Sequence, residues 1–310
     1  MTPENSDTYV RYEEGESPLV LSMPHSAIQV PKDLSGPIAD VFKFGDEDAE
    51  RTIRAGADQS VPKITGFQNQ LRHSRVWTKL PRALVDVNRG IEDVDENSVE
   101  GQGKEGRAHG LIWHQSLERK GDDPFELLKR PYTHKEYQEI LERHYNPYRQ
   151  AVRAAMDTVL EKHGYAILID CHTMPAVNLE ATPAGAYTYT GPAKRGEKFP
   201  EEWPDLVLIT NEGESCSSVI SNIVRKTFKD AGLIVMDGTG PFKGDKGSTV
   251  LYADPEEGRH VVGLEFVAHN GLEFGREQGC VDINNIVAHQ VRQVFTDMFA
   301  ELESNSSQTS

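Results

Sequence analysis

Cysteine is scarce in this chain. Three residues, Cys171, Cys216 and Cys280 among 310, are too few and too scattered to staple a fold, so no disulfide framework is read and a reducing compartment suits the protein. No apolar run approaches the roughly 20 residues that span a bilayer, and no positively charged start precedes an apolar stretch. Neither a membrane anchor nor a secretory leader is read, and a cytoplasmic protein with no membrane partner is expected. Basic charge is also short: 33 Lys and Arg face 49 Asp and Glu, a net charge of -16. Without a basic footprint, nucleic-acid binding is excluded as the main task. An anionic substrate then has to be drawn in by local arginines against the field of the whole molecule. No Pro/Ser/Gly-rich linker and no internal repeat divides the sequence. The expectation is one domain over residues 17–303, with 1–16 a flexible N-terminal segment and 304–310 a disordered tail.

Two short apolar runs each end in a histidine. Leu19-Val20-Leu21-Ser22-Met23-Pro24 leads to His25, and Ala166-Ile167-Leu168-Ile169-Asp170-Cys171 leads to His172. Continuous apolar runs of this length read as strands covered on both faces, the signature of an α/β sheet. Ligands gather at the carboxyl ends of such strands, so two imidazoles delivered there are metal-ligand candidates. A helix is expected over 46–58, opened by three acids, and a strand over Ala83–Gly90. The glycine-dotted stretch 91–110 reads as a long surface loop with the character of a lid. Thr133 and Glu136 fit a capping box for a long helix that Pro147 should kink and Gly164 should end. Further strands are expected over 206–210, 233–236 and 260–267, with helices over 216–230 and 284–302. The glycine-rich stretch 239–248 lacks the phosphate-loop pattern.

Three polar clusters carry chemistry. Asp170 and His172, two apart on a strand, share a face, and a metal-bound His commonly passes its second N–H to such a carboxylate. Asn88 and Arg89 offer a planar donor array for a carboxylate, with Asp86 placed to orient Asn88. Glu265 interrupts the apolar strand Val261-Val262-Gly263-Leu264-Glu265-Phe266-Val267, where a lone carboxylate is costly unless it is paired, metal-bound or catalytic. Together these describe metal-assisted amide hydrolysis. Zinc on three protein ligands keeps a position for water, a nearby Glu takes the proton, and an Arg holds the substrate carboxylate. Two histidines leave one ligand to find, and Asp46, Glu47 and Asp48 are the natural sources.

In this order the motifs resemble the N-formylglutamate amidohydrolase family. The resemblance rests on Pro24-His25-Ser26, Asp46-Glu47-Asp48, Asp86-Val87-Asn88-Arg89, Asp170-Cys171-His172-Thr173 and Glu265, with added similarity at Gly110-Leu111-Ile112-Trp113 and Tyr145-Asn146-Pro147-Tyr148. It implies a zinc carboxypeptidase-like fold, a mixed β-sheet flanked by helices on both faces. It also implies one Zn²⁺ or another divalent ion per chain, held by His25, Asp48 and His172. Asn88 and Arg89 would then bind the substrate carboxylate, Glu265 would be the general base, and Asp86 and Asp170 would support the site. The chain departs from the family at Ala27, at Arg149 where a His is usual, and at Phe266-Val267-Ala268-His269-Asn270, where a polar stretch ending in Arg is usual. The missing Arg leads us to expect a substrate with a neutral side chain over N-formylglutamate, unless His269 or Lys243 compensates. The expected substrate class is a small N-acyl amino acid or short peptide. A zinc carboxypeptidase or peptide amidase, its cleft shaped by 91–125, and a non-catalytic binding protein are the competing readings.

Overall fold

Strands in the middle of this fold alternate which face each side chain meets, yet every position is apolar because both faces are covered. Ala166 and Leu168 pack into one core, while Ile167 and Ile169 pack into a second on the opposite side of the sheet. Each Leu or Ile side chain removed from water contributes about 1.5–3 kcal/mol, which is why the run is uninterrupted until the site begins. The computed structural model describes residues 9–65, 73–102, 108–120, 123–175, 177–181, 187–192, 204–238, 247–268, 272–275 and 280–283, with 294, 296–298, 300–302 and 304.

In chain order the strands are β1 (Val10–Glu13), β2 (Leu19–Met23), β3 (Ser74–Thr78), β4 (Gln115–Lys120), β5 (Asp123–Glu126), β6 (Ala166–Pro175) and β7 (Val177–Ala181). They continue with β8 (Tyr187–Pro192), β9 (Leu206–Ile209), β10 (Val235–Asp237), β11 (Arg259–Ala268), β12 (Leu272–Gly275) and β13 (Cys280–Ile283). Among the described residues, one seven-stranded sheet runs β1-β3-β2-β6-β11-β9-β10, and three strand pairs lie outside it. The sheet is mixed: β3, β2, β6 and β11 are mutually parallel, while β1 and β9 join antiparallel to β3 and β11. Residues 10–13, within the segment expected to be flexible, therefore form an edge strand.

Helices α1 (Pro37–Val41), α2 (Glu47–Ala55), α4 (His134–Ile140) and α5 (Asn146–His163) contribute to the first core. Helix α3 (Val61–Ile64), helix α6 (Ser218–Asp230) and the C-terminal Val294, Met298 and Leu302 contribute to the second. A short α7 (Ser248–Leu251) follows residues 239–246 of the glycine-rich stretch, which lie outside the described residues, as do 1–8, 284–293 and the tail from 305.

The capping box forms as read: the Thr133 hydroxyl accepts from the Glu136 N–H, and the Glu136 carboxylate accepts from the Thr133 N–H at 2.8 Å. Thr133→Ala is expected to cost about 1 kcal/mol, visible as a lower urea midpoint with unchanged slope. Pro147 sits in the first turn of α5, where its missing N–H costs nothing, and a π-turn over Leu141–Tyr145 joins α4 to α5 ahead of it. Gly164 ends α5 in the left-handed conformation at φ 81°.

One expectation is corrected. Ala83–Gly90 is a series of turns, because the Asp86 side chain captures the Asn88 N–H at 3.1 Å and the Val85 N–H closes back on Pro81 at 3.3 Å. The 91–110 loop, where described, is tied to its neighbours. Ser98 and Glu100 bond the Tyr132 backbone at 2.8 and 2.9 Å, and a Cβ on Gly110 would stand 2.2 Å from the Asp93 carbonyl oxygen.

Candidate active site

The register of the central strands assembles the site. Ser22 pairs with Asp170 across β2 and β6, and Glu265 pairs with His172 across β6 and β11. Paired residues share a face, so Asp170, His172 and Glu265 emerge together where the first core ends. His25 enters from the turn just past β2 and is buried there. Its backbone carbonyl accepts the Asp58 N–H at 2.8 Å, which draws the turn after α2 against the two histidines.

Three atoms then converge. The Asp58 carboxylate oxygen lies 3.0 Å from His172 Nδ1 and 3.4 Å from His25 Nδ1, and the two nitrogens are 3.1 Å apart. Ligand atoms bound about 2.0–2.1 Å from a tetrahedral ion stand about 3.3 Å apart, so this triangle has the dimensions of a metal site. Among the described residues, His25, Asp58 and His172 are the group able to hold an ion. The far side of each ring supports the same assignment. His25 Nε2 lies 2.8 Å from Asp86, and His172 Nε2 lies 2.8 Å from Asp170. A carboxylate at Nε2 keeps the proton there and leaves the Nδ1 lone pair facing inward, as in carboxylate–histidine–metal arrangements.

The surrounding charges favour a cation. Burial opposes charging of His172, but Asp170, Asp58 and Glu265 outweigh it and raise its pKa well above the ordinary histidine value. Burial likewise opposes ionisation of Asp86 and Asp170, yet Arg82 and His25 hold the first well below the carboxylate range, and His172 lowers the second. Glu265 moves the other way. Burial and the Asp58 charge push its carboxyl up, against the pull of His172, Arg82 and His25.

Of the residues singled out from sequence, His25, His172, Asp86, Asp170 and Glu265 are brought together. Asp48 is not. Asp46 caps α2 by accepting from the Asp48 N–H at 3.0 Å, and Glu47 and Asp48 bind Arg51 at 3.0 and 3.1 Å, so the acidic triplet serves the helix start. The carboxylate beside the histidines comes instead from Asp58. The Asn88 amide is already engaged: Nδ2 donates to Asp170 at 3.1 Å, and Oδ1 accepts from the Ser248 N–H and hydroxyl at 2.9 and 2.8 Å. Arg89 is one-third exposed, and its ion pairs among the described residues are long, 3.7 Å to Asp86 and 3.9 Å to Asp93.

Arg82 escaped the sequence reading. Its Nε and Nη2 both bind one Asp86 oxygen, at 3.1 and 2.7 Å, and its guanidinium lies 5.4 Å from the Trp113 ring centre. The one available signal was its spacing of four from Asp86.

A family model for N-formylglutamate amidohydrolase matches residues 17–270. The chain belongs to the N-formylglutamate amidohydrolase family. Membership places it among hydrolases of amide bonds. An N-formylglutamate deformylase of Pseudomonas putida is 24% identical over 299 residues, covering 95% of this chain and 98% of that protein. The crystal structure of an N-formylglutamate amidohydrolase from Ralstonia eutropha JMP134 superposes with a TM-score of 0.71 at 21% identity, over 98% of this chain and 100% of that one. A gene product of Agrobacterium tumefaciens shares the fold at a TM-score of 0.55 and 14% identity, over 96% and 98% of the two chains.

Proposed function

We propose that this amidohydrolase uses a divalent ion of the zinc class to remove the acyl group from a small N-acyl amino acid, with N-formyl amino acids as the leading class. The observation that carries this reading is the inward triangle of His25 Nδ1, His172 Nδ1 and an Asp58 oxygen, each ring backed by a second carboxylate. His25, Asp58 and His172 would hold the ion, which when bound supplies the Lewis acidity that activates water and polarises an amide carbonyl.

The chain's own groups do the rest. Asp86 and Asp170 fix the two imidazoles, and Arg82 fixes Asp86. Glu265 takes the proton of the attacking water and passes it to the departing amine nitrogen as the C–N bond breaks. Its raised pKa brings it towards neutrality, where a group both accepts and returns a proton well. Arg89 holds the substrate α-carboxylate, and the Asn88 amide steadies Asp170 and the start of α7.

The direct test is release of formate from a panel of N-formyl amino acids by protein carrying zinc. Ligand binding without turnover would favour a non-catalytic binding protein instead. Arg89→Lys keeps the charge but loses the planar fork, so kcat/KM for free-acid substrates is expected to fall roughly 10- to 100-fold, with carboxamide analogues little changed. An equal fall for both would assign Arg89 to structure.

A further inference from the structure

One position in β2 breaks its apolar run: Ser22, fully buried between Leu21 and Met23. A hydroxyl in a strand covered on both faces is costly unless it is bonded. Ser22 is bonded twice. Its register partner across β2 and β6 is Asp170, and the Ser22 hydroxyl donates to Asp170 Oδ1 at 2.5 Å. The buried Tyr148 hydroxyl, from the first turn of α5, lies 2.9 Å from the same Ser22 oxygen. The end of this chain fixes its direction. An ionised carboxylate only accepts, so Ser22 gives its one proton to the bond with Asp170 and accepts from Tyr148. Burial and the Asp170 charge raise the Tyr148 pKa well above the usual tyrosine value, so the phenol keeps the proton it donates.

With Oδ1 held by Ser22, Asp170 Oδ2 faces Asn88 Nδ2 at 3.1 Å and His172 Nε2 at 2.8 Å. The two histidines are therefore backed differently. Asp86, behind His25, is anchored by Arg82 at 2.7 Å. Among the described residues Asp170 has no Arg or Lys within ion-pair distance, and hydroxyls and an amide hold it instead. Neutral donors orient a carboxylate without cancelling its charge, so the negative charge behind His172 is retained. We propose that Ser22 and Tyr148 are positioning residues of the metal site: their hydroxyls form a directed relay, Tyr148 to Ser22 to Asp170, that locks the carboxylate behind His172 and thereby sets the affinity for the ion. The inference rests on the metal-dependent reading above. With Asp170 locked, His172 keeps its proton at Nε2 and turns its Nδ1 lone pair towards His25 and Asp58.

The test measures the zinc affinity of folded apo-protein by competition with a chromogenic chelator. It compares wild type, Ser22→Ala, Tyr148→Phe, the double variant and Tyr252→Phe. Ser22→Ala is expected to weaken zinc binding roughly 10- to 100-fold, the span for losing a group that orients a ligand. Tyr148→Phe keeps its ring in the core and is expected to weaken binding roughly 2- to 10-fold, the effect of one neutral hydrogen bond. Because Tyr148 acts through Ser22, the double variant is expected to bind zinc as weakly as Ser22→Ala alone. Tyr252 supplies the control. Its hydroxyl is buried in the same core and has no hydrogen-bond partner among the described residues, so Tyr252→Phe is expected to leave the affinity unchanged. Should Ser22→Ala fail to fold, Tyr148→Phe against Tyr252→Phe decides alone. Unchanged affinity in Ser22→Ala and Tyr148→Phe, even with a lower apo melting temperature, overturns the proposal and leaves the metal reading intact. Additive losses in the double variant, or an equal loss in Tyr252→Phe, overturn it as well. Wild type that takes up no zinc overturns the metal reading, and this proposal with it.

Discussion

Replacing Glu265 by Gln is expected to preserve fold and metal content while lowering turnover roughly 10²–10⁴-fold, the span of a general base. The substitution keeps the side chain's volume, and burial and the Asp58 charge already oppose the ionised form at this position. Stability should therefore change little. The loss is chemical: the amide neither accepts the water proton nor returns one to the leaving nitrogen. Its place opposite His172 in the β6–β11 register, with Leu264 and Phe266 buried on either side of it in sequence, argues that Glu265 is retained for proton transfer. Unchanged turnover would make it a charge-balancing residue for the cluster.

Removing the ion by chelation is expected to abolish turnover and to lower the melting temperature by roughly 4–6 °C, with both restored by added zinc. The ligand atoms are buried and brought within 3.4 Å of one another, so the folded chain binds the ion far better than the unfolded one. A ligand present at 100–1,000 times its Kd stabilises by about 2.7–4.1 kcal/mol, which for a chain of this size corresponds to that thermal shift. Turnover that survives full chelation would exclude metal dependence.

What the sequence revealed followed from regular periodicity. His25, His172 and the lone Glu265 stand out because apolar runs stop or break there, although β6 itself continues past His172 to Pro175, and strand register then carries His172 and Glu265 to one place. Thr133 and Glu136 announce a helix start by local hydrogen bonding alone. The failures have local physical causes. Ala83–Gly90 has a strand's composition, but Asp86 captures the backbone two residues on, which composition does not show. The acids at 46–48 looked like a ligand source because helix capping and metal binding draw on the same residue types. Asp58 lay in a turn with nothing around it to mark its role, and its position depends on the His25 backbone, 33 residues earlier in the chain. Arg82 becomes legible only through its partner Asp86.

Which residues hold the ion decides the chemistry of the site, and elemental analysis of chelator-free preparations of wild type, Asp48→Asn and Asp58→Asn tests this most directly. About one equivalent of zinc or a similar divalent ion is expected in wild type and in Asp48→Asn, and a small fraction of that in Asp58→Asn. Full metal in Asp58→Asn, with loss in Asp48→Asn, would contradict the site built here from His25, Asp58 and His172.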